Sequence, residues 1–540
     1  MGVRKVSERS NCGVGWLLRH AAYAWPNHGA LVCGDDRLTF AALLDWVDVV
    51  SAQLHEAGVR PGDCVLSQMV NSVESVVLQY ATWQIGAIST PVLPLLRSHE
   101  LTQVMRATKA RALVGSSRPG GYNHARGLAD IELLEGDSAV VHWLVGTEAV
   151  EGWGKFPDQP RERVVRSPEE VCWFAPAGLD ENCLVLFTSG TTAAHKGVCH
   201  TSESLRAEAC TYRDAAGLNA GSALLVPGPL SHVGSAVAAT VTTALTGAKA
   251  VVLERWDAVE AVETCDRESV TFSVAVPLFL KEMADLYETS HREVSRPARI
   301  AVGGASTPPD LIERADRLGI FAWRGWGMSE APSLTVAFPD DPLHMRATTD
   351  GRLDIGTQVE AVDESRAPLP AGAAGELRVR SPKQMTSYLD PDQTAGQVDD
   401  SGWFYTGDVG SVTSDGWVTI SGRIKDIVNR GGEKFSAVEI EAVIASHTDV
   451  EQVAVVGIPH ERLGEAVAAF VVLRSGCVWP GPEGLDDHLR SAGLARQKLP
   501  EHWVVLDALP INATGKVRKD LLRTGGRACL GDSRRIRPSM

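Results

Sequence analysis

Residues 184–198 read LVLFTSGTTAAHKGV. The apolar run Leu184-Val185-Leu186-Phe187 is a predicted buried strand. It passes into Thr188-Ser189-Gly190-Thr191-Thr192 and then into Lys196-Gly197. Small hydroxyls donate hydrogen bonds, a glycine lets the backbone close on a ligand, and a lysine adds positive charge. A Ser/Thr-rich run alone is more often a plain surface turn. The strand before it and the lysine after it favour an anion, and a phosphate chain in particular. The loop is not a Walker A motif, which sets Ser or Thr directly after the lysine, because Gly197 and Val198 follow Lys196 here.

Working outward, helical and extended patterns alternate. Leu43, Leu44, Val47, Val50 and Leu54 fall at helical spacing after a polar turn at Asp36. A turn at Arg60-Pro61-Gly62-Asp63 precedes the short strand Cys64-Val65-Leu66. A helix is expected over 74–86 and a turn over 89–94. Short strands recur at Val226 and at 251–253. The alternation predicts α/β layers around a largely buried sheet. From about Gly351 the texture changes to short β runs punctuated by Gly and Pro, as at 375–380 and 416–420. This predicts a small antiparallel, β-barrel-like subdomain. After Gly422 an α+β pattern begins, with a helix over 436–445 and strands over 453–458 and 466–473. The expected organisation is a large N-terminal α/β domain (1–424), a smaller mobile α+β C-terminal domain (425–525) and a frayed tail (526–540).

The chain has 540 residues, enough for more than one core. Its 44% hydrophobic and 22% charged residues suit a globular protein. The net charge of −15 argues against a nucleic-acid partner but not against a locally bound anion. The ten cysteines are scattered with no C-x-x-C pair, so no zinc or redox motif is expected. Scattered thiols, a polar N-terminus and no membrane-length apolar run lead to the expectation of a cytoplasmic protein without an integral membrane segment.

The phosphate loop resembles the T-S-G-T-T-G-x-P-K-G motif of the adenylate-forming superfamily, which includes acyl-CoA synthetases, firefly luciferase and peptide-synthetase adenylation domains. Ala193 stands at the usual glycine and His195 at the usual proline. Further stretches match in the family's order over almost the whole chain. Gly303-Gly304-Ala305 resembles the turn along the adenine. Trp326-Gly327-Met328-Ser329-Glu330 resembles Y-G-x-T-E, with Trp326 for tyrosine and Ser329 for threonine. Tyr405-Thr406-Gly407-Asp408 resembles the ribose motif, and Gly422-Arg423-Ile424-Lys425-Asp426 the hinge motif. Asn429-Arg430-Gly431-Gly432-Glu433-Lys434 resembles the loop lining the thiol channel. Residues 510–518, PINATGKVR, resemble the segment that carries the adenylation lysine, here Lys516.

The resemblance implies ATP-dependent activation of a carboxylic acid as an acyl-adenylate, then transfer to the thiol of CoA. It implies ATP binding by Thr188 to Thr192, Lys196, Gly303 to Ala305, Trp326 to Ser329, Asp408, Arg423 and Lys516. It implies Mg²⁺ at Glu330, a hinge at Lys425, a CoA channel at Gly431, Gly432 and Lys434, and catalytic roles for Lys516, Glu330, His232 and Thr188. Pro229-Leu230-Ser231-His232-Val233-Gly234 resembles the family's P-L-x-H-x-x-G segment, which places His232, Val233 and Trp326 at the acyl pocket, with Ala236, Val237 and Phe272 as further apolar lining. No aspartate follows between Pro229 and Val241 to bind an α-ammonium, so a non-amino acid is expected. The stretches 83–100 and 340–351 resemble medium-chain and alicyclic, cyclohexanecarboxylate-type ligases. No fused carrier domain follows Lys516, so free CoA is the expected acceptor. A stand-alone ligase loading a separate phosphopantetheinyl carrier protein, and a catalytically inactive nucleotide-binding homologue, are the alternatives.

Overall fold

The computed structural model describes residues 12–117, 122–135, 139, 141–146, 148–162, 173–188, 196–294, 298–430, 433–460, 462–492, 494–511 and 517–529. The chain divides into two compact units, Met1–Gln358 with Arg380–Gly402, and Val359–Val379 with Trp403–Met540. The cut expected after residue 424 falls inside the second unit, because the small antiparallel sheet ending at Arg423 groups with the C-terminal part.

The larger unit is mixed α/β and built on two sheets. One runs, edge to edge, Phe321–Arg324, Arg299–Val302, Phe272–Ala275, Ala223–Val226, Lys249–Val252, Gly29–Cys33 and Asp36–Thr39. Its pairings are parallel except for the last hairpin. The other runs Ser387–Tyr388, Lys196–Thr201, Asn182–Thr188, Ile88–Val92, Cys64–Gln68, Ala112–Ser116, Val141–Val145 and Gly154–Lys155. Ala223–Val226 is buried at every residue, as a parallel strand covered on both faces must be. Successive residues serve opposite faces. Val65 and Leu224 join the main core, whereas Leu66 and Leu225 pack into clusters beyond the sheets.

The main core joins both sheets through the helix Val73–Gln84, which buries nearly its whole length. Ser72 and Ser75 form a reciprocal capping box at its start. Its aromatic residues keep their polar ends paired, as burial requires. Tyr80 donates to the Thr240 carbonyl at 2.7 Å and Trp83 to the Cys183 carbonyl at 2.8 Å. Helices Ser98–Thr108 and His124–Glu135 lie on the far face of one sheet, and Ala258–Glu268 on that of the other.

The turn expected over 89–94 is instead the strand Ile88–Val92 with its exit. Pro91 is tolerated there because the recorded pairing with Asn182–Thr188 is at Ser89, before the missing N–H.

The smaller unit holds an open four-stranded antiparallel sheet, Gln358–Val362, Gly375–Arg380, Phe404–Val412 and Val418–Arg423. A second sheet contains Glu433–Ser436, Ile427–Arg430, Gly464–Leu473, Val450–His460 and His502–Val505. Alternate residues of its central strands enter two separate cores. Val455, Val467, Ala469 and Val471 face Ile440 and Leu485, while Ala454, Val456, Ala468 and Phe470 face Leu509 and Leu522. Among the described residues no helix is long and apolar enough to cross a membrane.

Candidate active site

In the larger unit the sequence-predicted segments leave from the carboxyl ends of strands, where ligands of α/β sheets gather. Gly303 follows Arg299–Val302, Gly325-Trp326 follows Phe321–Arg324, and the Pro229 segment follows Ala223–Val226. Thr188 ends Asn182–Thr188 and lies opposite Lys196 in an antiparallel pairing. Ser189 to His195, which include Ser189, Gly190, Thr191 and Thr192, lie outside the described residues.

Lys196 Nζ sits 4.4 Å from the centre of the Tyr388 ring, within cation–π range. The Tyr388 hydroxyl donates to Glu330 Oε1 at 2.8 Å, and the Met385 amide donates to the Glu330 carbonyl at 2.7 Å. Burial first, and then the Glu330 charge, push the Tyr388 phenol above its ordinary range, so it stays a donor. Lys196 and Glu330, distant in sequence, therefore flank one tyrosine that the motifs did not single out. Its strand, Ser387–Tyr388, pairs with Lys196–Thr201.

His200, on the same strand as Lys196, is fully buried. Its Nε2 meets the Ser329 carbonyl at 2.7 Å, and its Nδ1 meets Ser204 Oγ at 3.2 Å. A carbonyl only accepts, so Nε2 carries the proton and Nδ1 accepts. Burial drives its pKa down to about 4, so the ring is neutral at ordinary pH. The loop 326–330 is thus fastened to the strand Lys196–Thr201 at Ser329 and to Met385 and Tyr388 at Glu330. Within it, the Trp326 amide donates to Thr335 Oγ1 at 2.8 Å, and Met328 and Ala331 exchange backbone hydrogen bonds. Gly327 is needed for close approach, since a Cβ there would meet the Ser333 amide nitrogen at 2.6 Å.

Gly303 donates to the Ala275 carbonyl, and Gly304 takes a left-handed φ of +82° beside the exposed Ala305. His232 is half-buried and precedes the helix Val233–Val237. Asn71, missed by the motif reading, fixes this segment. Its Oδ1 accepts from the Leu230 amide at 2.9 Å, and its Nδ2 donates to the Gly228 and Leu253 carbonyls at 2.9 Å each. Ala236, Val237 and Phe272 are buried, and Phe272 packs 5.5 Å from the Tyr212 ring inside the main core.

In the smaller unit Asp408 pairs with Arg423 at 2.8 Å, and the two stand opposite each other in the ladder. The Asp408 side chain is 4% exposed and that of Arg423 54%. The ladder shifts register at Leu377, so the strand Phe404–Val412 carries extra residues there. Gly407 takes a φ of +70° within that bulge. Such a bulge re-aims a side chain, which gives the Thr-Gly-Asp sequence a physical reason. The Thr406 hydroxyl donates to the Leu377 carbonyl at 2.7 Å and accepts from the Asp408 amide at 3.0 Å. Lys425 lies in the 3₁₀ turn Ile424–Asp426. Lys434 stands opposite Asn429, while Gly431 and Gly432 lie outside the described residues. Lys516 also lies outside them. The segment that bears it is closed at its base by the Ile511–Val517 bridge and by the Arg518 amide donating to the Pro510 carbonyl at 2.7 Å.

The chain belongs to the AMP-binding enzyme family, whose model matches residues 18–389, with the model of the family's C-terminal domain matching residues 439–516. It is 28% identical over 498 residues to the medium-chain fatty-acid–CoA ligase of Escherichia coli K12, covering 92% of this chain and 86% of that one. It is 31% identical over 519 residues to a salicylyl-CoA synthase/salicylate adenylyltransferase of a Streptomyces species, covering 94% and 93%. Among solved structures, ATP-bound MatB of Rhodopseudomonas palustris superposes with a TM-score of 0.82 at 25% identity, covering 95% of this chain and 99% of that one.

Proposed function

We propose that this protein is an AMP-forming acid–thiol ligase, which joins a carboxylic acid to ATP as an acyl-adenylate and passes the acyl group to CoA. The observation that carries the reading is the Lys196–Tyr388–Glu330 cluster, in a chain matched along nearly its full length by acid–CoA ligases. The substrate carboxylate attacks the α-phosphorus, the bond to the bridging oxygen breaks, and pyrophosphate leaves with that electron pair. Two anions must approach, and charge grows on the phosphoryl oxygens, so fixed donors and cations lower the barrier.

The residues take the following roles. Thr188, Ser189, Gly190, Thr191, Thr192 and Lys196 hold the β- and γ-phosphates, and Ser329 faces the α-phosphate. Gly303, Gly304 and Ala305 lie along the adenine, with Trp326, Gly327 and Met328 near the nucleotide. Asp408 accepts from both ribose hydroxyls and Arg423 assists it, since a carboxylate can accept from two vicinal O–H groups. Lys516 donates to the phosphoryl oxygens during adenylation. His232 and Val233 line the carboxylate path. Lys425 is the hinge of the segment 425–525, and Gly431, Gly432 and Lys434 border the pantetheine thiol.

Among the described residues no group of three or more His, Cys, Asp or Glu could cage a metal ion. A lone carboxylate such as Glu330 still fits Mg²⁺, which keeps several waters and binds through one or two carboxylates plus substrate phosphates. When bound, the ion neutralises phosphate charge. The Tyr388 hydroxyl orients the Glu330 carboxylate that would hold it.

The acid is a non-amino carboxylic acid of medium-chain, alicyclic or aromatic type, and the acceptor is free CoA. An ATP–pyrophosphate exchange screen across carboxylic acids tests the first half-reaction. Product titration against CoA and against phosphopantetheinyl carrier proteins tests the second. Exchange with no acid would overturn the reading in favour of an inactive nucleotide-binding homologue.

A further inference from the structure

Beneath the loop 326–330 lies a second polar cluster that none of the motifs contains. Glu208 and Lys383 are both fully buried, at 0% exposure. Lys383 Nζ donates to Asp354 Oδ2 at 2.7 Å, to Thr211 Oγ1 at 3.1 Å and to the Ser333 carbonyl. The Ser333 hydroxyl donates to Glu208 Oε1 at 2.6 Å, with the Tyr212 hydroxyl 3.4 Å away. Ser333 is therefore gripped twice, at its carbonyl by Lys383 and at its hydroxyl by Glu208.

That grip falls on a strained residue. Ser333 has a φ of +35°, a left-handed conformation that side chains other than glycine adopt only when their surroundings enforce it. Its amide nitrogen is also the atom a Cβ at Gly327 would strike at 2.6 Å, so the loop rests directly on it. Burying a lysine and carboxylates seldom adds net stability. The charges nonetheless balance, with Lys383 against Asp354, while burial raises the Glu208 pKa toward the neutral acid. What the cluster supplies is geometry.

We propose that Glu208, Ser333 and Lys383 are positioning residues that hold the loop 326–330 so that Ser329 faces the α-phosphate of ATP and Glu330 keeps the place from which it would hold Mg²⁺. This rests on the reading of that loop as a nucleotide-binding segment. The residues touch no substrate and act through the loop alone.

Ser333→Gly is the decisive variant, because glycine accepts the left-handed backbone and only the hydroxyl is lost. It should raise the KM for ATP in pyrophosphate exchange by about tenfold, the cost of one hydrogen bond to a buried acid. The KM for the carboxylic acid, and thioester formation from supplied acyl-adenylate, should stay near wild type. Glu208→Ala should show the same split, and Glu208→Gln should restore ATP binding, since its amide oxygen accepts the same hydroxyl. Lys383→Met combined with Asp354→Leu removes the ion pair without stranding a charge, and should also weaken ATP selectively. Melting midpoints confirm folding. Wild-type exchange together with variants of unchanged ATP KM, or with equal losses for ATP and acid, overturns the positioning role alone. Wild-type protein that exchanges with no acid overturns the underlying reading as well.

Discussion

Ser329 and Glu330 are held from two stretches of chain far away in sequence, His200 on one and Met385 to Tyr388 on the other, whereas Asp408 is held by its own hairpin. Tyr388 reaches Glu330 from a short strand that pairs with Lys196–Thr201, and His200 reaches Ser329 from that same edge. Asp408 meets Arg423 directly across one antiparallel ladder, and the bulge at Gly407 sets its direction. The first arrangement is tied at several atoms, with Tyr388 and His200 buried and Ser329 and Glu330 half-buried. The second leaves its arginine half in water. A non-local site gains rigidity from the sheets it bridges, while a local site gains its geometry from one turn.

The difference also decides what the sequence could reveal. The Thr-Gly-Asp turn and its arginine are legible because Asp408 and Arg423 face each other within one hairpin. The alternation of helix and strand is legible for the same reason: the predicted helix over 436–445 is the helix Ala437–Ala445, capped by Ser436. Tyr388, His200, Asn71 and Lys383 were not legible. Each gains its meaning from a partner brought near by a crossover or a strand pairing, and no local pattern marks that. Pro91 misled for a related reason, since only the end of the pairing with Asn182–Thr188 at Ser89, before the missing N–H, makes a strand proline acceptable there. Lys516 is the converse case, legible by motif while its segment lies outside the described residues.

The largest expected effect lies outside both clusters. Lys516→Ala should lower acyl-adenylate formation on the order of 10²- to 10³-fold, the usual loss for one transition-state donor. Thioester formation from supplied acyl-adenylate should persist. Equal losses in both half-reactions would break the assignment, and would imply that Lys516 supports the protein generally.

Asp408→Asn probes the local site. It keeps the shape but removes the charge that faces Arg423, and it exchanges one acceptor for a donor. Hydrogen bonds to a charged group are worth about 1.5–3 kcal/mol, so ATP affinity should fall roughly 10- to 100-fold, with the KM for the acid little changed. Calorimetric titration with ATP reads this directly, and an unaltered dissociation constant would remove Asp408 from the nucleotide.

Tyr388→Phe probes the non-local site more gently. The ring beneath Lys196 is kept and only the hydroxyl on Glu330 is lost. Exchange should slow by about tenfold. Tyr388→Leu, which removes the ring as well, should slow it further by the cation–π share of about 0.5–1 kcal/mol. Indistinguishable rates for the two variants would mean that the ring face does nothing for Lys196.

The smallest effect concerns stability and follows from His200. Its imidazole is neutral in the folded chain down to about pH 4, because burial disfavours the cation, while the unfolded chain protonates it near 6.5. As pH falls below 6.5 the unfolded state therefore binds the extra proton first, and folding stability drops. By linkage the loss between pH 6.5 and pH 5.5 is about 1 kcal/mol, and it continues until the folded ring itself titrates. His200→Gln can still donate to the Ser329 carbonyl but cannot titrate. It should flatten this part of the pH dependence when melting midpoints are compared across that interval. A variant that keeps the wild-type slope would show that the acid sensitivity arises elsewhere, and that the Ser329 contact is a hydrogen bond without a titrating partner.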